Sequence, residues 1–177
     1  MRGIVAALRQ KIHLSHCPNF PGRLCTATRS KLFIPALGSL YESIAPLGEP
    51  LVRLTAGLFL VPHGAQKLFG LFGGHGLAAA QQAFATHLGL PGEMAIFAGL
   101  IEFFGGLALA LGLFTRVAAA LVVGMMVVAV FHVHLPNGFF WTEKGFEYPA
   151  MWGLLALASV LRGGGRYSLD ALIGREL

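Results

Sequence analysis

The stretch that decides the fold is residues 94–114, MAIFAGLIEFFGGLALALGLF, an apolar run whose one ionisable residue is Glu102. As a helix rising 1.5 Å per residue it reaches about 30 Å, the thickness of a bilayer's hydrocarbon core. Three and four residues from Glu102 along such a helix lie Ala98, Gly99, Gly105 and Gly106, and Ala95 and Ala110 extend the stripe. Small residues let helix backbones approach closely in lipid. The run therefore predicts a membrane helix with a packing seam and places a carboxyl group on it. An ionisable group within a span costs about 2.5–3.5 kcal/mol on insertion scales, so Glu102 should face the bundle and find a partner there.

Three more apolar runs flank this one. Residues 51–72 carry Arg53, His63, Gln66 and Lys67, and residues 117–135 carry His132 and His134 near their end. The last run, 148–161, is short for a span and needs residues 145–147 or a tilt between other helices. The whole chain agrees: 55% of residues are hydrophobic and 12% charged, against roughly 45–50% and 25% in soluble domains. That balance excludes a disordered chain, and two cysteines in 177 residues exclude a disulfide scaffold. The net charge of +5 is not gathered into a patch, so no nucleic-acid partner is expected.

The bases fall in the loops. Eleven of the Lys and Arg residues lie on one side of the four runs, and only Lys67 and Lys144 on the other. The positive-inside rule then puts both termini in the cytoplasm, with residues 73–93 and 136–147 as outward loops. The expected architecture is all-α: a four-transmembrane-helix bundle over residues 51–170 and a tail at 171–177. Residues 1–50 form a basic extension with no acid before Glu42 and no secretory signal pattern. It reads as an unstructured extension or an organelle transit peptide. Near 33–45, Phe33, Leu37, Leu40, Tyr41 and Ile44 recur at helical spacing, with Pro35 suited to a first turn. They predict a short amphipathic N-terminal helix on the inner membrane surface. Cys17 and Cys25 do not form a Cys-x-x-Cys pair, and no redox role follows from their spacing.

Depth arithmetic selects partners for Glu102. His63 lies about 13 Å from the outer end of the first run and Glu102 about 12 Å from the outer end of the second. Lys67, four residues beyond His63, shares its face. Glu102 should thus pair with His63 or Lys67, and these three form the candidate intramembrane site. His132, His134, Trp141 and Glu147 are secondary candidates. His132 and His134 point about 200° apart on a regular helix, and no histidine pair has helical ligand spacing. No metal site is expected, and a lone histidine here reads as a structural donor before a haem ligand.

The remaining turns read as structural. Residues 70–76 are glycine-rich but lack the Gly-Lys-Ser/Thr ending of a phosphate loop, so they should let the chain turn tightly. Phe139, Phe140 and Trp141 follow a Pro-Asn-Gly turn and belong to an interfacial aromatic belt or to a lid over a pocket. Thr115 should cap the third span and Ser168 a short final helix.

Several of these motifs, in this order, resemble the DoxX family. The opening motif is Arg53, Gly57, Phe59, Leu60, His63, Gly64 and Lys67 to Gly70. Glu102 with Gly105-Gly106, Leu111-Gly112-Leu113 and Thr115-Arg116 is similar to the family's middle. His134, Gly138-Phe139-Phe140-Trp141 and Glu147-Tyr148 are similar to its third loop. Residues 163–165 with Ser168-Leu169-Asp170 are similar to its ending. The resemblance implies a four-helix integral protein of the bacterial inner membrane. The family takes its name from a subunit linked to a membrane quinol/thiosulfate oxidoreductase, and it brings no agreed catalytic residues.

Three functions are then in play. The first is an accessory subunit of a membrane redox complex, with His63, Lys67 and Glu102 holding a quinone carbonyl beside Phe69, Phe72, Phe103, Phe140 and Trp141. The second is a small-molecule or proton-coupled transporter, favouring a homodimer along the small-residue stripe. The third is a non-catalytic structural partner whose charges tie helices together.

Overall fold

The computed structural model describes residues 34–174, and within them every regular element is helical. Readings placed on residues 1–33, Cys17, Cys25 and Phe33 included, lie outside the described residues. A short helix α1 (Gly38–Ile44) leads through a 3-10 turn, Ala45–Leu47, to α2 (Gly48–Phe69). Next come α3 (Gly76–His87) and α4 (Met94–Leu111), the latter widened into a π turn at Ile101–Gly105. A tight bend then leads to α5 (Thr115–Asn137), with a second π turn at Ala129–His134. The chain closes with α6 (Glu147–Arg162) and α7 (Leu169–Ile173).

Three helices, Gly38–Phe69, Met94–Leu111 and Thr115–Asn137, are long and apolar enough to cross a membrane. Less than half of each is buried inside the protein, so lipid must cover the rest. Phe59, Phe97, Phe104, Leu121 and Leu154 all stand exposed on the bundle's surface, where water would make them an aggregation hazard. The run at 148–161 forms α6 and does recruit Glu147. Its 16 residues reach about 24 Å, short of the roughly 30 Å hydrocarbon core.

Two expectations need correction. The loop at 73–93 contains the twelve-residue helix α3. Its segment Ala78-Ala79-Ala80-Gln81-Gln82-Ala83 is rich in good helix formers, but alanine blurs the apolar period that reveals a helix. Thr115, expected to cap the third span, is instead the first residue of α5 after Phe114, and no side chain caps from the N-cap position. Ser168 does cap α7, accepting from the Ala171 N–H at 3.1 Å.

Packing centres on α2 against α4. Gly57 sits so close to α4 that a Cβ there would lie 2.6 Å from the Ala110 backbone nitrogen, and one on Gly64 would lie 2.8 Å from Phe103 Cα. Of the predicted seam, Ala95, Gly99, Gly106 and Ala110 are buried. Gly105 meets only a side-chain methyl of Ile101, because the π turn shifts it off the line of contact. Ala118, Ala119, Val122 and Met126 of α5 pack with Ala156 of α6. Trp152 of α6 donates its indole N–H to Ala56 O of α2 at 3.0 Å.

A polar lock holds the opposite end of α2 and α4. Arg53, 2% exposed, donates to Leu109 O at 3.3 Å, Ala110 O at 2.6 Å and Tyr167 O. It thus adds a donor to the Leu109 carbonyl, which also accepts from the Gly112 N–H, and bonds the Ala110 carbonyl at the end of α4. Asp170 accepts from Phe114 N at 2.7 Å, Thr115 N at 2.8 Å and Thr115 Oγ1 at 2.7 Å. A carboxylate from the tail therefore caps α5, and it favours the positive end of that helix. Burial pushes the Asp170 carboxyl up, but the hydrogen bonds from Thr115 and Phe114, with the Arg53 charge, outweigh it and hold the group below its ordinary value.

Because the folded value is depressed, Asp170 stabilises the fold fully above the unfolded value of about 3.9, and this contribution is lost as pH falls through the folded value. Asp170→Asn should lower stability at neutral pH by about 1.5–3 kcal/mol and flatten the acid limb, measured as thermal unfolding in detergent across pH. Gly57→Leu should force α2 and α4 apart at a cost of about 3 kcal/mol, seen as loss of the folded peak in detergent chromatography. Gly124→Leu, whose Cβ meets nothing within 4 Å, should be silent in the same measurement.

Candidate functional site

Near the far end of α2 and inside the π turn of α4 the two helices share an ion pair. Lys67 Nζ donates to Glu102 Oε1 at 2.9 Å and to Glu102 Oε2 at 2.7 Å. Of the two partners the sequence offered, the lysine reaches the carboxylate with both contacts. Glu102 is 8% exposed, while the lysine side chain is 25% exposed. Beside the pair, Gly64 packs against Phe103 and Leu68 packs onto Gly99. An ammonium has three donors, so one N–H of Lys67 remains for a ligand.

The π turn is a local departure with a clear bond signature. The Gly106 N–H donates to Ile101 O, five residues back. The second wide turn does the same, with Leu135 N–H donating to Val130 O. Such turns are rare and cluster at functional sites. Here one carries Glu102 and the other His132 and His134.

Two cavities meet at Glu102. The first, of about 340 Å³, is lined by Lys67, Phe84, Phe97 and Met125 among others. The second, of about 410 Å³, is lined by His63, Trp141, Tyr148 and Trp152 among others. Glu102, Met126, Ala129 and His134 line both. Volumes of roughly 300–1,000 Å³ suit small-molecule ligands. α3 and its following turn wall the first cavity through Phe84, Leu88 and Leu90, a contribution invisible while this segment reads as loop.

The secondary candidates divide. His132 Nε2 lies 3.0 Å from Leu88 O and His134 Nδ1 lies 2.6 Å from Lys144 O. The two histidines thus hold different outer segments. Glu147 accepts from the Trp141 N–H at 3.1 Å and shapes the loop. Trp141 stacks on Tyr148 with ring centroids 5.3 Å apart and planes at 7°, forming one wall of the second cavity. Among the described residues no group of three His, Cys, Asp or Glu side chains is placed to hold a metal ion.

Arg53 and Asp170 are the polar residues that the reading of composition and spacing missed. Both belong to the motifs of the family resemblance, but on composition and spacing Arg53 counted as a topology base and the segment carrying Asp170 read as structural. The available signal was an arginine two residues inside an apolar run, which lipid would not leave unpaired.

Comparison with known proteins agrees with this architecture. The DoxX family model matches residues 49–135. An uncharacterized protein of Haemophilus influenzae is 32% identical over 136 residues, covering 73% of this chain and 92% of the relative. Inner membrane protein YqjF of Escherichia coli is 26% identical over 137 residues, covering 76% and 98%. No solved structure matches the chain. The seam of α2 and α4, with the Arg53 contacts to Leu109 and Ala110 and the Lys67–Glu102 pair, lies within residues 49–135, and the chain belongs to the DoxX family as a multi-pass protein of the inner membrane.

Proposed function

We propose that this protein is a membrane-embedded binding subunit for an apolar, ring-bearing small molecule of the quinone type, serving a membrane redox complex. The observation that carries the reading is a buried carboxylate, Glu102, set on the common wall of two cavities and held there by a lysine with a donor to spare. A quinone ring fits the residues present. Phe84, Phe97 and Met125 offer an apolar slot, and the remaining Lys67 N–H can donate to a ring carbonyl. When bound, a quinone would supply two-electron and proton chemistry at its ring oxygens. The chain's own part is to bind, orient and exclude water. Lys67 fixes the carbonyl, Glu102 fixes Lys67, and His63 and His134 line the route around them.

The positive-inside count supports four passes with both termini in the cytoplasm, α6 being the short fourth. The exposed helix faces supply surface for a redox partner or a second copy. The domain organisation follows: a basic extension over 1–50, a membrane domain over 51–170 and a short tail.

Binding of a short-chain benzoquinone to protein reconstituted in lipid tests the site. Lys67→Met alone should cost about 2 kcal/mol of stability, between exposed and buried ion pairs. The double variant Lys67→Met/Glu102→Gln removes both charges, and it should regain most of that stability yet bind at least about tenfold more weakly. Wild-type binding by a folded double variant would leave the charges with a helix-tying role alone. For topology, a C-terminal fluorescent-protein fusion should be bright and a C-terminal alkaline phosphatase fusion inactive; the reverse pattern would overturn the cytoplasmic placement.

A further inference from the structure

The turn between α6 and α7 presents two arginines from a backbone that is fixed on both sides. Gly163 and Gly165 take positive φ, 79° and 64°, which folds the chain back directly after α6. A Cβ on Gly164 would lie 2.7 Å from Thr115 Oγ1 and from Ser168 Oγ, so the turn is pressed onto the start of α5. Ser168 Oγ donates to Gly165 O at 2.7 Å, Arg53 donates to Tyr167 O, and the Asp170 N–H donates to Gly112 O at 2.9 Å. Arg162 closes α6 and Arg166 follows four residues later, both exposed. Arg116 joins them: its Nη1 donates to Val160 O at 2.6 Å, in the last turn of α6.

The acids near this end are committed inward. Asp170 is buried and accepts from Phe114 and Thr115, and the charges of Glu49 and Asp170 both act on Arg53. Among the described residues no carboxylate pairs with Arg162 or Arg166. The Arg166 guanidinium lies 5.8 Å from the centre of the exposed Tyr167 ring. The surface around these cations is apolar: Leu161 is 71% exposed and Leu172 82%, and Ile173 also stands outward. Cationic forks beside outward apolar side chains suit a molecule that is anionic at one end and hydrocarbon beyond it. A guanidinium pairs with phosphate through two parallel hydrogen bonds, and basic pockets at the ends of membrane helices hold acidic lipid headgroups. We propose that the α6–α7 turn is a binding site for an acidic phospholipid. Arg162 and Arg166 take its phosphate, Arg116 adds to the cationic wall, and Leu161 and Leu172 lie beside its acyl chains. The site is at the Arg53 end of α2, away from the Lys67–Glu102 pair, and does not depend on the binding reading above.

The test uses the full chain in neutral detergent, titrated with dioctanoyl phosphatidylglycerol, dioctanoyl phosphatidylcholine and glycerol 3-phosphate, with binding read by native mass spectrometry. Each arginine close to the headgroup contributes about fivefold, so the acidic lipid should bind about tenfold or more tighter than the zwitterionic one. Arg162→Gln/Arg166→Gln should bring the two lipids within about threefold of each other. In wild-type protein, amide hydrogen exchange across residues 161–173 should slow with the acidic lipid and stay unchanged with the zwitterionic one. That arm decides the matter if the double variant does not fold. An undiminished preference in a folded double variant, or unchanged exchange at this turn, would overturn the proposal. Glycerol 3-phosphate binding as tightly as the acidic lipid would overturn it too, because the site would then take a free phosphate and gain nothing from the apolar surround.

Discussion

The backbones of α2 and α4 touch where Gly57 meets Gly106 and Ala110, and again where Gly64 meets Phe103. This approach depends on the missing side chains of glycine. In lipid, apolar burial gives two helices little reason to prefer each other over acyl chains, so close van der Waals contact must supply the preference. Once the two backbones are in contact, their relative register has little freedom. Register in turn decides which polar groups meet, and both polar anchors of the bundle join these same two helices.

Those anchors sit towards opposite ends. Arg53 holds carbonyls at the last turn of α4 and the tail at Tyr167, and the tail's Asp170 caps the start of α5. Lys67 holds Glu102 nearer the other end. The first anchor centres on two buried side chains, Arg53 and Asp170, which bond to backbone groups and to the Thr115 hydroxyl. The second is partly open to two cavities. The contrast in surroundings separates scaffold from candidate site better than residue type does, since each anchor is a cation near a carboxylate.

How much of this was legible follows from what repeats along a chain. The span at 94–114 could be read because absence of charge over a bilayer's thickness is a strong signal, and its small-residue stripe pointed to the seam. The Lys67–Glu102 pair could be narrowed because depth is counted from helix ends and residues four apart share a face. The choice between His63 and Lys67 depended on the reach of a flexible side chain, which spacing does not encode. α3 was lost because alanine and glutamine carry no clear apolar period. Asp170 was missed because its bonds to Thr115 span 55 residues, a separation that no local pattern announces. The π turns were equally hidden: nothing in IEFFG or AVFHVH marks a turn one residue wider than its neighbours.

Those wide turns bear on how such a chain can change over evolutionary time. Each holds about one residue more than an ordinary helical turn. Deleting that residue would restore a regular turn and leave the helix beyond it at nearly the same rotation, because the wide turn spreads one extra residue over a single turn. In α4 Gly106 and Ala110 would still face Gly57, and in α5 the end of the helix would still face the Lys144 carbonyl. What would change is the wide turn itself, and with it the placing of Glu102, His132 and His134. A one-residue deletion in a regular stretch of either span would instead rotate everything beyond it by about 100°. Single-residue gains and losses within these spans should therefore collect at the wide turns, where the packing seam survives them and the candidate site does not.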